Sequence, residues 1–319
     1  MAGGGALLQG AYMGSIFNVQ QVINGIQVGS IYALIALGYT MVYGIVRLIN
    51  FAHGDFFMIG AYAAYGTFFA FNAVFVGRGA MHGACLAFVV LIVSLAAGAA
   101  IALLANRFAY RPLRYKPKLS SLITAIGVSM FLEYFFSALP VIGPSYRGFP
   151  TILEQRLYTI GGATISNYVI IDIAVAAVLM AALTVLIKYS RLGMAMRAVS
   201  EDKDAARLMG IDVEYIIAWT FAIGGAFAGV AGLLDGMTYP RIFPYMGITP
   251  GLKAFIAAVL GGIGSMPGAM IGAYIMGLAE TFASAFNSLL GDGIAFAILI
   301  IVLLFRPRGI LGEKIADKI

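Results

Sequence analysis

Few side chains in this sequence could do chemistry. His53 and His82 are the only histidines in 319 residues, and Cys85 is the only cysteine. Neither histidine has a second His or Cys at the spacing a zinc site needs, so no metal ligand set is expected. Cys85 has no intramolecular partner for a disulfide. Nucleotide chemistry is not expected either, because no G-x-x-x-x-G-K-[ST] string occurs and no Gly-Lys pair exists. The glycine-rich string GGIGSMPG (261–268) follows an apolar run and lacks a basic residue, which fails the context of a dinucleotide site and reads as a tight backbone turn. No Ser/His/Asp trio is singled out locally, so catalytic residues are expected to be none. What remains are carboxylates in or beside apolar runs: Asp55, Glu133, Asp172, Asp235 and Glu280. An ion-coupled carrier would use such a group as a proton or sodium relay; a structural carboxylate would pair across helices. Asp55, Asp172 and Asp235 lie near segment ends, and Glu133 and Glu280 lie deeper.

The elements that must position these groups follow from composition. The chain is 61% hydrophobic and 11% charged, against about 25% charged in ordinary soluble domains. Apolar stretches fall near 16–46, 53–76, 83–105, 119–140, 168–188, 213–238, 250–263, 266–287 and 293–305. Most are long enough for a hydrocarbon core about 30 Å thick, and none shows the strict alternation of an outer-membrane barrel. The expected fold is therefore an all-α polytopic membrane protein. It has about 8 transmembrane helices plus a short broken or re-entrant segment near 250–263. Residues 1–319 read as one transmembrane domain with a loop at about 189–212 and another at about 141–167.

Charge sets the expected orientation. The net charge of +6 is carried in loops and implies no nucleic acid. Of 20 Lys and Arg, five lie in 106–118, five in 188–212, four in 306–319, and Arg47 adds one. Alternating segments place all of these on one side, which the positive-inside rule makes cytoplasmic, with the N-terminus outside and the C-terminus inside. Residues 1–46 hold neither Lys nor Arg, so a signal peptide is not expected. MIGAY occurs at 58–62 and again at 270–274, from a parallel duplication or from coincidence in a Gly/Ala-rich chain. GAFAG (225–229), continuing to Gly232, has small-xxx-small spacing suited to tight packing, within the chain or between subunits.

One stretch is charged out of proportion: EDKDAARLMGID, 201–212. It reads as a short helix with Ser200 as N-cap, acidic residues at its positive end, an Asp204–Arg207 pair at i,i+3 and Gly210 as left-handed C-cap. Ala205, Leu208 and Met209 share one face. Composition leaves two readings open, a solvated connector or a helix that docks in a partner's groove.

Its D-A-A-x-x-x-G spacing resembles the EAA loop of ABC importer permeases, with Asp for Glu; the downstream Leu-Pro of the maltose type is absent, Ala218-Trp-Thr-Phe221 standing there instead. The wider resemblance is to the branched-chain amino acid permease family, LivH-type. It rests on NGIQVGSIYALIALGYTMVYGIVRLINFAHGDFFMIGAY (24–62), FAYRPLR (108–114), AIGVSMFL (125–132), YSRLGMAMRAVSEDKDAARLMGI (189–211), GLKAFIAAVLGGIGSMPGAMIGA (251–273) and RPRGILG (306–312). That resemblance implies a permease subunit of a binding-protein-dependent importer, multi-pass in the bacterial inner membrane and surrounded by lipid. The implied partners are a LivM-like permease, two cytoplasmic LivG/LivF-like ATPases that use ATP and Mg, and a periplasmic amino-acid-binding protein; this chain itself would bind no cofactor. Glu201, Asp204, Ala205, Ala206, Arg207 and Gly210 would then couple to an ATPase. Asn50, His53 and Gly54, with Gly261, Gly262, Gly264 and Pro267, are the candidate translocation pathway, tight structural turns being the alternative for both groups. Family substrates extend to other amino acids, urea and short amides, and the alternative class is an ion-coupled secondary transporter.

Overall fold

The computed structural model describes residues 19–47, 49–74, 80–114, 116–160, 163–306 and 309–312. Residues 1–18, Arg78, the His82 side chain, Arg308, Lys314 and Lys318 lie outside the described residues. The helices are α1 (Val19–Val46), α2 (His53–Val74), α3 (Ala80–Ala105), α4 (Lys118–Ala138), α5 (Asn167–Tyr189), α6 (Arg191–Glu201), α7 (Lys203–Leu208), α8 (Val213–Thr238), α9 (Ile248–Gly261), α10 (Met266–Phe286) and α11 (Ser288–Phe305). Eight helices among the described residues are long and apolar enough to cross a membrane, as the sequence leads one to expect. Among the described residues, strand is confined to two small antiparallel ribbons, Arg147–Gly148 (β1) with Arg241–Ile242 (β4) and Leu157–Ile160 (β2) with Ala163–Ser166 (β3).

Helices α1 and α8 form the centre, buried along most of their length. Lipid tails are as apolar as leucine, so association in a bilayer rests on close packing, and small residues supply it. Gly225 and Gly229 of α8 lie backbone to backbone against Gly98 and Ser94 of α3. On another face, Gly229 meets Gly60 of α2 and Gly232 meets the Phe57 carbonyl. The GAFAG motif thus packs within the chain. Gly25 and Gly29 of α1 take Leu278 and Tyr274 of α10 in the same way.

The basic loops collect where α1 ends and α8 begins. Arg111 and Arg114, carried on a π-turn (Asn106–Tyr110) and a 3-10 turn (Arg111–Leu113) that extend α3, both pair with Glu214 at the base of α8. Lys203 Nζ lies 3.5 Å from the Val46 carbonyl. Ile310 and Leu311 donate backbone hydrogen bonds to Leu260 and Gly261 (both 2.9 Å) at that end. The 141–167 loop sits at the other end, where Phe149 N–H donates to the Pro240 carbonyl.

Two helices start inside the bundle. After α1 the chain turns back, residues 49–52 leading into α2, which begins with the His53 ring against Gly38 and Gly224. Gly224 is ten residues beyond Glu214 in α8, about 15 Å at 1.5 Å per residue. After α8 the chain re-enters, and Gly247 lies on the Gly54 backbone. The short segment is therefore one unbroken helix, α9, of 14 residues, about 21 Å long against a core of roughly 30 Å. Its break precedes it at 239–247, while the GGIG turn closes its opposite end. Gly60→Val would drive a branched side chain into the Gly229 backbone and should lower stability by about 1–3 kcal/mol. Gly127→Ala, where nothing stands within 4 Å of the added Cβ, should leave it unchanged or slightly higher. Thermal unfolding in detergent measures both.

Candidate functional site

The charged loop folds into two helices. Ser190 caps α6 by accepting from Gly193 N–H at 2.9 Å. At Asp202 the backbone becomes extended (φ −151°), which ends α6 at Glu201 and starts α7. The N-cap of the short helix is thus Asp202, whose Oδ1 accepts from the N–H groups of Asp204 (2.9 Å) and Ala205 (3.1 Å). The expected cap, Ser200, instead sits inside α6 and donates to the Arg197 carbonyl. The C-terminal expectation holds: Gly210 has φ +81°. Gly210 N–H donates to Arg207 and Ile211 N–H to Ala206, which is a Schellman closure.

Within this frame Asp204 and Arg207 pair at 3.3 Å, Ala206 is buried, and Ala205 faces outward. Leu208 and Met209 are 90% and 82% exposed. Glu201 is exposed at the end of α6, off the short helix. Lys203 turns inward, and burial first, then Arg114, Arg47 and Arg207, lowers its ammonium pKa below the ordinary range. Asp212 caps α8 immediately afterwards, accepting from Glu214 and Tyr215 N–H. A force on α7 therefore reaches the central helix α8 through a four-residue link, 209–212.

The pathway candidates form two groups. Asn50, His53 and Gly54 come together inside the bundle: Asn50 Oδ1 accepts from the Tyr110 hydroxyl at 2.5 Å, the His53 ring edges onto the Tyr39 ring, and Gly54 packs on Gly247 and Gly251. Asn50 Nδ2, His53 Nε2 and Thr40 Oγ1 are buried without a hydrogen-bond partner among the described residues. Gly261, Gly262, Gly264 and Pro267 lie at the other end of α9, where Gly261 packs on Gly268 and Gly262 on Gly312. Gly262 (φ +109°) and Gly264 (φ +101°) adopt backbone that other residues resist. Pro267 is exposed in the first turn of α10.

Two of the five intramembrane carboxylates, Asp172 and Glu280, accept side-chain hydrogen bonds of defined geometry. Asp172 accepts from Gln27 Nε2 at 2.6 Å and Thr238 Oγ1 at 2.7 Å. Glu280 accepts from the Tyr32 hydroxyl at 2.8 Å and pairs with Lys253 at 2.7 Å; Lys253 also reaches Asp292 at 2.6 Å. Asp55 lies beside Ser129 and Glu133 across the α2–α4 seam, and its Oδ2 has no hydrogen-bond partner among the described residues. The sequence reading missed the Lys253–Glu280 pair, although a lysine inside the short apolar segment signalled that a carboxylate must be near.

This arrangement defines a class, the all-α multi-pass membrane proteins, with two helices that begin within the bundle and a capped helix at its basic end. Residues 21–303 match the family described as "Branched-chain amino acid transport system / permease component". The chain belongs to the branched-chain amino acid transport permease family. It is 43% identical over 310 residues to the high-affinity branched-chain amino acid transport system permease protein LivH of Escherichia coli K12, covering 95% of this chain and 98% of that one. It is 45% identical over 311 residues to BraD of Pseudomonas aeruginosa (94% and 98%) and 27% identical to LivM of E. coli K12 (88% and 68%). Lys253→Met should destabilise the protein by about 3–5 kcal/mol by stranding Glu280. The double variant Lys253→Met, Glu280→Met should recover most of that loss, as read by thermal unfolding in detergent.

Proposed function

We propose that this chain is one membrane-spanning half of an ABC importer for branched-chain amino acids. The observation that carries this reading is α7. It is short, capped at both ends, presents Leu208 and Met209 to solvent, and leads directly into the central helix. An apolar pair held out on a rigid helix suits a groove on another subunit. Separate LivG/LivF-like ATPases supply that groove and hydrolyse ATP with Mg, and a periplasmic binding protein delivers the amino acid. The companion permease is LivM-like, a proposal supported by the likeness of this chain to LivM.

The protein spans the inner membrane as one permease domain. The basic end, carrying 189–212 and the C-terminus, faces the cytoplasm, while the N-terminus and 141–167 face outward. Closure of the ATPases would tilt α7 and shift the bundle between two forms. Asn50, His53 and Gly54 would flank the route where α2 and α9 begin, and the turn containing Gly261, Gly262, Gly264 and Pro267 would let α9 move as a half-helix.

Gly210→Pro and Arg207→Glu should reduce leucine uptake to background while the protein remains inserted and full-length. Co-purified ATPase should be lost in parallel. Wild-type uptake in both variants would overturn the coupling role of α7. Purification of the wild-type chain from its membrane without any ATPase, together with uptake driven by an ion gradient, would replace the importer with the secondary-carrier reading.

A further inference from the structure

A cavity of about 550 Å³ opens between α2 and α4 at the end opposite the basic loops, within the roughly 300–1,000 Å³ range of small-molecule sites. Its walls are apolar, among them Ile59, Phe69, Phe136 and Val141. Three residues that carry polar groups also line it, Tyr62, Tyr65 and Arg147. Tyr62 is 7% exposed, and its hydroxyl is buried without a hydrogen-bond partner among the described residues. Such a group is costly unless something fills its place. Arg147 spans the mouth from the 141–167 loop, fixed by its Nε donating to the Ile142 carbonyl at 2.6 Å, and close enough to Tyr62 to act on it electrostatically. Its terminal amino groups have no protein partner among the described residues.

We propose that this α2–α4 cavity is a substrate station that reads an aliphatic α-amino acid by its carboxylate. Arg147 and the Tyr62 hydroxyl donate to the carboxylate, and the apolar walls take the side chain. The proposal rests on the importer reading above and names a site for its substrate. The chemistry fits in both parts: a guanidinium beside an unpaired hydroxyl is a carboxylate clamp, and a wall of aliphatic and aromatic carbon suits a branched hydrocarbon. Further in along the same seam lie Asp55, with Oδ2 unpartnered, and Glu133. Asp55 is seven residues before Tyr62 on α2, about 10 Å deeper. One amino acid cannot span both sites, so the carboxyl pair lies ahead of the ammonium as the substrate moves inward. The open space at Gly66, where an added Cβ meets nothing within 4 Å, keeps the cavity accessible.

The test is equilibrium binding of radiolabelled L-leucine to the full-length chain in lipid nanodiscs, beside leucine uptake in cells carrying the same variants. Arg147→Gln and Tyr62→Phe should each weaken binding about tenfold, and Arg147→Lys should restore part of the loss. In the wild type, 4-methylpentanoate should compete and leucinamide should not. Gly66→Leu, whose Cβ would meet nothing within 4 Å, should fill part of the cavity and abolish binding while the protein stays folded. Wild-type uptake with unchanged affinity in Arg147→Gln and Gly66→Leu overturns this site and leaves the importer intact, the cavity then holding lipid chains. Leucinamide competing as well as leucine also overturns it. No leucine uptake by the wild-type chain overturns the importer reading, and the station falls with it.

Discussion

Everything in this protein hangs on backbone approaching backbone around α8. In water, burial of apolar surface would hold such helices together, but in a bilayer the lipid offers an equally apolar surface. Contact must be close enough for dispersion to accumulate, so Gly60, Gly98, Gly225, Gly229 and Gly232 stand where side chains would hold α2 and α3 away. The same contacts let α2 begin deep in the bundle. With α2 drawn against α8 at Gly60, residues 49–52 are sheltered by protein, as non-helical backbone at that depth must be.

Sheltering explains the polar interior. Asn50, His53 and Tyr110 sit around the start of α2, and Gly247 and Gly251 bring the start of α9 to the same place. Each broken end leaves backbone groups that a continuous helix would satisfy, and tight turns replace some of those partners: His53 N–H donates to the Asn50 carbonyl and Ile248 N–H to the Tyr245 carbonyl. Away from this centre the buried polar groups are paired: Lys253 forms ion pairs with Glu280 and with the more exposed Asp292, and Asp172 accepts hydrogen bonds from Gln27 and Thr238. These groups tie α1, α5, α8, α9, α10 and α11 together; Asp55 and Glu133 join the more loosely packed α4 to α2.

At the basic end the constraint changes from lipid to water, and the chain changes with it. Charged caps replace glycine contacts: Asp202 starts α7, Asp212 starts α8, and Arg111 and Arg114 clamp Glu214. The result is a short helix stiffly joined to the buried core and carrying exposed Leu208 and Met209. Family membership places this chain among proteins of amino acid transport.

Much of this was legible in the sequence. Apolar run lengths determined the eight spans, clustered Lys and Arg determined which loops share an end, and Asp204, Arg207 and Gly210 determined the pairing and closure of α7. These are local properties, set by residue type and by spacings of three or four along the chain. The N-cap was misplaced at Ser200 because a serine and an aspartate two residues apart offer the same chemistry, and only the extended backbone at Asp202 decides between them. The start of α9, the Lys253–Glu280 pair and the cavity joining Arg147 to Tyr62 were decided by tertiary structure alone. Each depends on groups 27 to nearly 200 residues apart meeting across helices, and helix periodicity says which face a residue occupies but not which helix will cover it.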